Sequence, residues 1–299
     1  MLKRDHRVSQ SIDIRPFDRS SMKQISVSKS FGGSQYVFSH ASEACRCDMT
    51  FAVFMPPQAE TAKVPMLWYL SGLTCTHQNV MDKGEYRRAA AELGVAIICP
   101  DTSPRGDDIP DEPDNWQFGK GAGFYLDATE EPFAKNYRMQ TYILEELPRL
   151  LDGAGLAIDN KRQGIFGHSM GGHGAITLAL KAPDRFASVS AFAPICQPST
   201  ADWSRPAFQK YLGDNPAAWR AYDTTLLIED RYRVKELLVD QGTADPFLET
   251  GLRPQLLNDA CQKAGIDLTL NMRDGYDHSY LFISTFMADH IRWHAERLQ

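Results

Sequence analysis

The chain has 299 residues, of which 43% are hydrophobic and 23% are charged, and its formal net charge is −6. The sequence contains neither a basic block nor basic residues interleaved with aromatic ones, which argues against a nucleic-acid partner. The apolar runs are far shorter than the roughly 20 residues of a membrane-spanning helix, so we expect a soluble protein without a membrane partner.

The first 21 residues, MLKRDHRVSQSIDIRPFDRSS, are polar and charged and lack the apolar core of a secretory signal. They predict a flexible N-terminal extension over residues 1–21, ahead of one domain over residues 22–299. Met22 is an alternative start of the polypeptide.

Short β-rich runs alternate with helical patterns along the rest of the chain. The predicted strands are QISVSKSF, MTFAVFMP, PMLWYLSG, VAIICP, QGIFG, SVSAFAP, KELLVDQG and LTLNMRDG. The predicted helices are residues 79–93, 136–151, 170–181, 253–264 and 280–297. Because the early strands lack intervening helices while β and α alternate from Pro65 onward, we expect an α/β fold. Its central sheet is mostly parallel with antiparallel N-terminal strands, and helices cover both faces.

Two long segments interrupt this alternation. Residues 105–135 are rich in Asp, Pro and Gly, and residues 198–222 contain two tryptophans and short helical pieces. Loops of this length in a compact domain often shape a binding site. No linker separates the elements, which favours one domain.

The segment GIFGHSMGGHGAITLAL, residues 164–180, contains the pattern G-x-S-x-G around Ser169. The pattern is typical of a sharp strand-to-helix turn that exposes a nucleophilic serine, where a side chain at Gly167 or Gly171 would clash. The pattern alone is weak, but a buried-strand run precedes it and a helical run follows. The alternative is close helix–sheet packing with an uninvolved serine.

A serine nucleophile needs a base, and in this architecture an acid and then a histidine follow it along the chain. His278 lies in a polar turn after a strand and is our candidate base, against the alternative of a structural histidine. His290 and His294 share a face of the last helix. They predict a solvated or half-buried helix face rather than a metal pair, because no third ligand is evident.

The candidate acid is Asp245, in the loop after the strand run KELLVDQG. A carboxylate there can reach a histidine on the neighbouring loop, fix the imidazole tautomer and stabilise the imidazolium. Asp240, Asp274 and Asp277 are the less favoured alternatives.

The oxyanion of an acyl-transfer reaction needs two backbone N–H donors. We expect one from Met170, at the start of the helix after the nucleophile, and one from Leu73, in the turn after the buried strand LWYL. Gly72 gives that backbone freedom to aim the Leu73 amide. An ordinary turn is the alternative.

Six cysteines occur without the spacing of a disulfide framework or a zinc site, and we expect all of them to be thiols in a reducing cytoplasm. Cys75 lies two residues after Leu73. A bulky adduct there is expected to crowd the site and slow hydrolysis, the alternative being an inert buried thiol.

Six motifs resemble the S-formylglutathione hydrolase (esterase D) family: YLSGLTCTHQN, GHSMGGHGA, AFAPICQPS, KYLG, DQGTADPFL and GYDHSYLFISTFMADHIRWHA. The likeness is collinear from about Ser26 to the C-terminus. Residues 1–21 lie outside it. One departure is the segment CQPSTADWSRPAF, which keeps Trp203 but lacks a cysteine that many members have.

The resemblance implies an α/β-hydrolase fold, a Ser169–Asp245–His278 triad and an oxyanion hole formed by Leu73 and Met170. It also implies hydrolysis of S-formylglutathione to formate and glutathione in formaldehyde detoxification, without a metal or organic cofactor. A cytoplasmic homodimer is the implied setting.

The residues that contact the substrate are less well defined by the sequence. Cations that could offset the glutathione carboxylates are Lys120, Lys135, Arg138 and Arg205, although each is more often a solvated surface charge. Aromatic candidates for the acyl pocket are Trp116, Phe118 and Trp203, with ordinary packing as the alternative.

Two rival functions remain open from the sequence. A broad carboxylesterase, or an acyltransferase to a sugar or alcohol, shares the same triad. A hydrolase-like binding scaffold without chemistry is disfavoured by the intact order of serine, acid and histidine.

Overall fold

A nine-stranded β-sheet runs through the computed structural model, which describes residues 22–299. The extension predicted over residues 1–21 lies outside the described residues. The strands are β1 (Lys23–Ser30), β2 (Gly33–Ala41), β3 (Asp48–Met55), β4 (Val64–Leu70), β5 (Ala96–Pro100), β6 (Ile158–His168), β7 (Ser188–Phe192), β8 (Glu236–Gly242) and β9 (Asp267–Arg273). Their order across the sheet is β1-β2-β3-β5-β4-β6-β7-β8-β9.

Within residues 22–299, ten α-helices pack around this sheet or lie in its loops. They are α1 (His77–Lys83), α2 (Tyr86–Leu93), α3 (Met139–Thr141), α4 (Leu147–Gly153), α5 (Met170–Lys181), α6 (Arg205–Leu212), α7 (Pro216–Arg220), α8 (Thr224–Glu229), α9 (Pro254–Ala264) and α10 (Tyr280–Arg297). Short 3₁₀ turns occupy Pro57–Glu60 and Phe133–Lys135, and π turns occupy Tyr142–Glu146 and Leu248–Leu252.

The predicted division between antiparallel and parallel strands is confirmed. β1, β2 and β3 pair antiparallel, and β3 pairs antiparallel with β5. All pairs from β5 and β4 through β9 are parallel. From β4 onward helices connect each strand to the next. A parallel strand must start at the same end of the sheet as the strand before it, which requires such a crossover.

Several predicted elements differ from the structure in detail. The strand β2 was not predicted, although its residues alternate between buried and half-buried positions as a strand beside a sheet edge does. The helix predicted over residues 79–93 is two helices, because Glu85 adopts a left-handed φ of 53° between them. The helix predicted over residues 136–151 begins at Met139 and passes through the π turn before α4.

The prediction for the last helix was wrong in one respect. His290 and His294 do not form a solvated or half-buried face; both side chains are buried. His294 is hydrogen-bonded to Ser188 and Ser190, at 2.6 and 2.8 Å, and the His290 ring stacks on Phe192 at 3.9 Å between centroids. The polar partners come from β7, which the helix pattern alone does not reveal.

The core of the described residues lies on both faces of the parallel strands. Trp68 and Tyr69 on β4 and Phe166 on β6 are fully buried, and every residue of α5 from Met170 to Leu180 is buried as well. No helix within residues 22–299 has both the length and the apolar composition needed to cross a membrane. Because the centre of the sheet is closely packed, the ends of its strands form a rigid base for the loops at their carboxyl ends.

Candidate active site

Ser169 occupies the single residue between β6 and α5, with φ 57° and ψ −117°. A non-glycine residue in such a region costs about 1–3 kcal/mol and persists only where neighbouring structure holds it. The Ser169 amide donates to the Phe192 carbonyl at 2.9 Å, and the Ser169 carbonyl accepts from the His173 and Ile195 amides at 2.9 and 3.3 Å. These backbone contacts fix the serine in its turn.

The glycines on either side of Ser169 are needed for close packing. A Cβ atom on Gly171 would clash with the Leu70 carbonyl, and one on Gly167 would clash with the Gly171 carbonyl. The backbone of the loop after β4 also approaches the serine, since a Cβ on Gly72 would lie 3.3 Å from Ser169 Cβ. The clash predicted from the pattern is therefore present, and Gly72 serves close approach rather than an unusual φ.

Asp245 and His278 form a direct hydrogen bond, with 2.6 Å between Asp245 Oδ2 and His278 Nδ1. The Asp245 carboxylate also accepts from the Phe247 amide at 2.9 Å and from Gln241 Nε2 at 3.2 Å. Three donors thus orient the buried carboxylate. Because the bond uses His278 Nδ1, the other ring nitrogen, Nε2, is left available for a second partner.

The alternative acids lie in other environments. Asp240 is buried on β8 and accepts from Asn271 and Arg273 at 2.8 and 2.7 Å. Asp274 accepts from Thr243, and Asp277 caps the Ser279 amide. Their hydrogen bonds therefore go to groups other than His278.

Ser169 and His278 face one cavity of about 300 Å³ at the carboxyl ends of the parallel strands. It is lined by Gly72, Leu73, Thr74, Cys75, Trp116, His168, Ser169, Trp203, Phe247, His278, Ser279 and Tyr280. Within the described residues the Ser169 hydroxyl makes no hydrogen bond to the His278 ring. Catalytic hydrogen bonds are often long in a ligand-free site and shorten when substrate binds.

His168 contacts the His278 ring, with 4.4 Å between the ring centroids. Neither His168 nitrogen has a hydrogen-bond partner among residues 22–299, and burial, together with the neighbouring His278, lowers the pKa of His168 well below its usual value. The neutral His168 ring therefore limits how His278 can turn without adding charge beside it. Sequence reasoning missed this residue, although it is the variable position directly before Ser169.

Two backbone amides are placed where the sequence analysis expects oxyanion donors. Met170 is the first residue of α5, whose first amides have no partner within the helix. In the described part of the chain the Leu73 amide also donates no hydrogen bond to another backbone group. Both residues adjoin Ser169, Leu73 through the contact at Gly72.

Of the predicted substrate contacts, Cys75, Trp116 and Trp203 line the cavity, with 5.8 Å between the two indole centroids. Phe118 and Lys120 are not among the lining residues. Phe118 is buried against Phe133, and Lys120 lies 3.9 Å from Asp111.

Among the residues that the structure describes, no Lys or Arg lines the cavity. Lys135 and Arg205 are outside the lining as well, and Arg138 lies 3.6 Å from Asp127. Phe247, which the sequence analysis did not single out, packs edge-on against the His278 ring at 5.2 Å. Phe247 follows Asp245 and Pro246 in the chain, and no sequence pattern there indicates that its side chain packs against a histidine.

All six cysteines are free thiols in the structure, and among residues 22–299 no group of three or more His, Cys, Asp or Glu side chains could hold a metal ion. Cys75 is half-buried at the cavity. Burial raises the pKa of its thiol above the ordinary value, so the reactive thiolate is scarce at neutral pH.

Alkylation of Cys75 by N-ethylmaleimide is expected to inactivate the protein slowly at pH 7 and faster as the pH rises, because the thiolate fraction increases. The adduct would occupy the cavity beside Ser169. The measurement is the inactivation rate against pH for the parent and for Cys75→Ser. An equal inactivation rate in Cys75→Ser would show that another thiol is responsible.

Comparison with known proteins gives consistent results. A family model described as "Putative esterase" matches residues 42–293. The S-formylglutathione hydrolase of Mus musculus is 51% identical over 280 residues, covering 93% of this chain and 99% of that protein. That of Paracoccus denitrificans (strain Pd 1222) is 52% identical over 274 residues, covering 92% of this chain and 97% of the relative.

A solved structure is also similar. The S-formylglutathione hydrolase from Agrobacterium tumefaciens, the subject of a structural and kinetic study, is 63% identical and superposes with a TM-score of 0.91. The match covers 92% of this chain and 99% of that one. The α/β-hydrolase fold expected from the sequence is thereby confirmed.

Proposed function

Because the chain belongs to the S-formylglutathione hydrolase family of esterases, we propose that it hydrolyses the thioester S-formylglutathione to formate and glutathione. The proposal rests on one observation above all: Ser169 and His278 line a single cavity, and the Asp245 carboxylate is hydrogen-bonded to the His278 ring. In this proposal Ser169 is the nucleophile, His278 the general base and acid, and Asp245 the group that orients the imidazole.

The first half-reaction forms a formyl-enzyme. Ser169 Oγ attacks the formyl carbonyl while its proton moves to His278 Nε2, and the Leu73 and Met170 amides stabilise the oxyanion. When the tetrahedral intermediate collapses, the C–S bond breaks. The imidazolium proton goes to the departing sulfur, and glutathione leaves as the thiol.

The second half-reaction regenerates the serine. His278 takes a proton from water as the water oxygen attacks the formyl ester on Ser169, and the same two amides hold the second oxyanion. The C–O bond to Ser169 then breaks, the serine recovers its proton, and the acid product ionises to formate in solution. Asp245 keeps His278 Nδ1 protonated throughout, so that Nε2 is the nitrogen that accepts protons.

The chemistry of the substrate suits this site. A thiol leaves more readily than an alcohol, so acylation needs little acid assistance. Formyl is the smallest acyl group, and the space beside Ser169 is bounded by the Gly72 backbone and the His168 ring. We infer that selectivity comes from the exclusion of larger acyl groups and from binding of the peptide portion along the Trp116–Trp203 wall, which aligns the thioester for attack.

The test is a comparison of kcat/KM for S-formylglutathione, S-acetylglutathione and p-nitrophenyl acetate. We expect the formyl thioester to exceed the acetyl thioester by about 10- to 200-fold, the usual discrimination for one methyl group in a tight pocket. A higher kcat/KM for the aryl acetate would favour a broad carboxylesterase. Ester formation from added glycerol at the expense of hydrolysis would favour an acyltransferase.

We further propose that the protein acts in the cytoplasm as a homodimer. Six free thiols and a glutathione-derived substrate suit a reducing compartment. The homodimer follows from the family resemblance, and sedimentation velocity would then give about twice the mass of the 33.6 kDa chain.

A further inference from the structure

The loop after β4, residues 71–76 and here called the oxyanion loop, contains a strained residue. Thr74 has φ 65°, in the left-handed region that a β-branched side chain rarely adopts. Such a conformation costs about 1–3 kcal/mol and needs contacts that hold it. Thr74 directly follows Leu73, the proposed oxyanion donor, and the Cys75 amide donates to the Gly72 carbonyl at 3.3 Å. Because that carbonyl shares a peptide plane with the Leu73 amide, contacts that hold Thr74 and Cys75 also orient the Leu73 amide.

The Cys75 carbonyl at the far side of Thr74 is held by two side chains that follow β5. It accepts a hydrogen bond from Arg105 Nη2 at 3.0 Å and one from Thr102 Oγ1 at 2.5 Å. A single carbonyl thus receives a charged donor and a neutral donor. Thr102 is fully buried, which fixes its hydroxyl relative to the sheet.

Arg105 is itself held by a buried carboxylate. Its Nε lies 2.9 and 3.1 Å from the two oxygens of Asp101, and Asp101 also accepts the Thr102 amide at 2.6 Å. Asp101 comes directly after β5 and is buried, so the guanidinium is oriented by a group anchored to the sheet. A planar guanidinium can bind Asp101 with one edge and the Cys75 carbonyl with another nitrogen at the same time.

The other side of the strained residue is held by the long segment that follows. The Thr74 amide donates to the Gly121 carbonyl at 2.8 Å, and the Gly121 amide donates to Ser103 Oγ at 2.7 Å. The oxyanion loop is therefore held on both sides of Thr74 by residues 101–121. Of these contacts, only the one from Arg105 carries a formal charge.

We propose that Arg105 is a positioning residue for the oxyanion hole: by joining Asp101 to the Cys75 carbonyl, it keeps Thr74 in its strained conformation and the Leu73 amide aimed at the developing oxyanion. The proposal rests on the proposed function in that Leu73 is taken as a donor. Arg105 is not among the residues that line the cavity and acts only through the loop.

The experiment uses Arg105→Lys and Arg105→Gln, with Arg162→Gln as the matched control. Arg162 also pairs with a nearby aspartate, Asp159 at 2.8 Å, and has a similar exposed fraction, 38% against 35% for Arg105. The substrate is p-nitrophenyl acetate, so the result does not depend on the natural acyl donor. A second readout is inhibition by methylboronic acid, which adds to a serine hydroxyl as a tetrahedral anion.

We expect kcat to fall by about 10- to 100-fold in both Arg105 variants, with KM changed by less than about 3-fold, since a donor displaced by about 1 Å loses most of its effect on the transition state. The inhibition constant of methylboronic acid should rise by a similar factor. Arg162→Gln should match the parent in both measurements. In Arg105→Lys the ammonium group can still pair with Asp101, so the variant should fold. A single ammonium cannot also reach the Cys75 carbonyl.

Retention of kcat within about 2-fold of the parent in Arg105→Lys and Arg105→Gln would overturn the proposal. A loss of kcat without weaker boronate inhibition would overturn it as well, because the loss would then not lie in oxyanion stabilisation. In both cases the proposed function stands as long as the parent hydrolyses S-formylglutathione. A parent that does not hydrolyse this thioester refutes the function instead, and the aryl acetate still tests the role of Arg105.

Discussion

Ser169→Ala is expected to lower kcat for S-formylglutathione by about 10⁵-fold, because the formyl-enzyme proposed on Ser169 Oγ can no longer form. Alanine removes only Oγ and keeps the Cβ, so the turn at φ 57° and its three backbone hydrogen bonds are retained. The residual rate reflects substrate binding and the oxyanion donors. The measurement is single-substrate kinetics on protein shown to be folded by circular dichroism.

Ser284→Ala is the matched control for this change. Ser284 lies on α10 with its hydroxyl turned to the Leu281 carbonyl of its own helix. It should retain full activity and react with a fluorophosphonate reagent at the parent rate, whereas Ser169→Ala should not react. Parent-like turnover by Ser169→Ala would mean that the nucleophile lies elsewhere or that the observed hydrolysis is not catalysed at this cavity.

Asp245→Asn is expected to lower kcat by about 10³- to 10⁴-fold. The substitution removes no reacting atom, but it moves the proton of neutral His278 from Nδ1 to Nε2. A carboxylate can only accept hydrogen bonds, so its bond to His278 keeps the proton on Nδ1 and leaves Nε2 free to take the serine proton. An asparagine can present its NH₂ group to Nδ1, which would place the proton on Nε2. The pH profile of kcat/KM tests this, since the loss should persist at pH values where the parent is fully active.

Asp240→Asn distinguishes the two carboxylates that the sequence analysis weighed as the acid. Asp240 is buried and accepts from Asn271 and Arg273, so its substitution should lower the thermal midpoint but leave kcat within about 3-fold of the parent. The reverse pattern, with the larger loss of kcat in Asp240→Asn, would reassign the acid.

Local sequence patterns were sufficient to predict much of the fold. The helices 170–181 and 280–297 match the prediction at both ends, because Ser169 stops the strand before the first and the Ser279 side chain caps the second. Alternation of β and α elements was enough to predict which strands run parallel. The strand β2 was missed although it contains the β-favouring run Tyr36-Val37-Phe38.

Other features depend on which elements become neighbours. The burial of His290 and His294 results from the serines of β7 that lie beneath α10. The contact between His168 and His278, and the packing of Phe247 on the same ring, join residues 110 and 31 positions apart in the chain. Phe118 and Lys120 were candidates as an aromatic and a cation of the long segment 105–135, but they pack away from the cavity.

The sequence by itself determined the type and order of the proposed reacting groups, since the glycine spacing around Ser169, the strand-end Asp245 and the turn with His278 are local signals. Only the tertiary structure decided that Asp245 rather than Asp240 is bonded to His278, that neutral His168 lies against it, and that Arg105 is hydrogen-bonded to the Cys75 carbonyl. Local patterns follow from the backbone preferences of neighbouring residues, whereas these contacts are set by the order of strands in the sheet and by which side chains face each other across its edge.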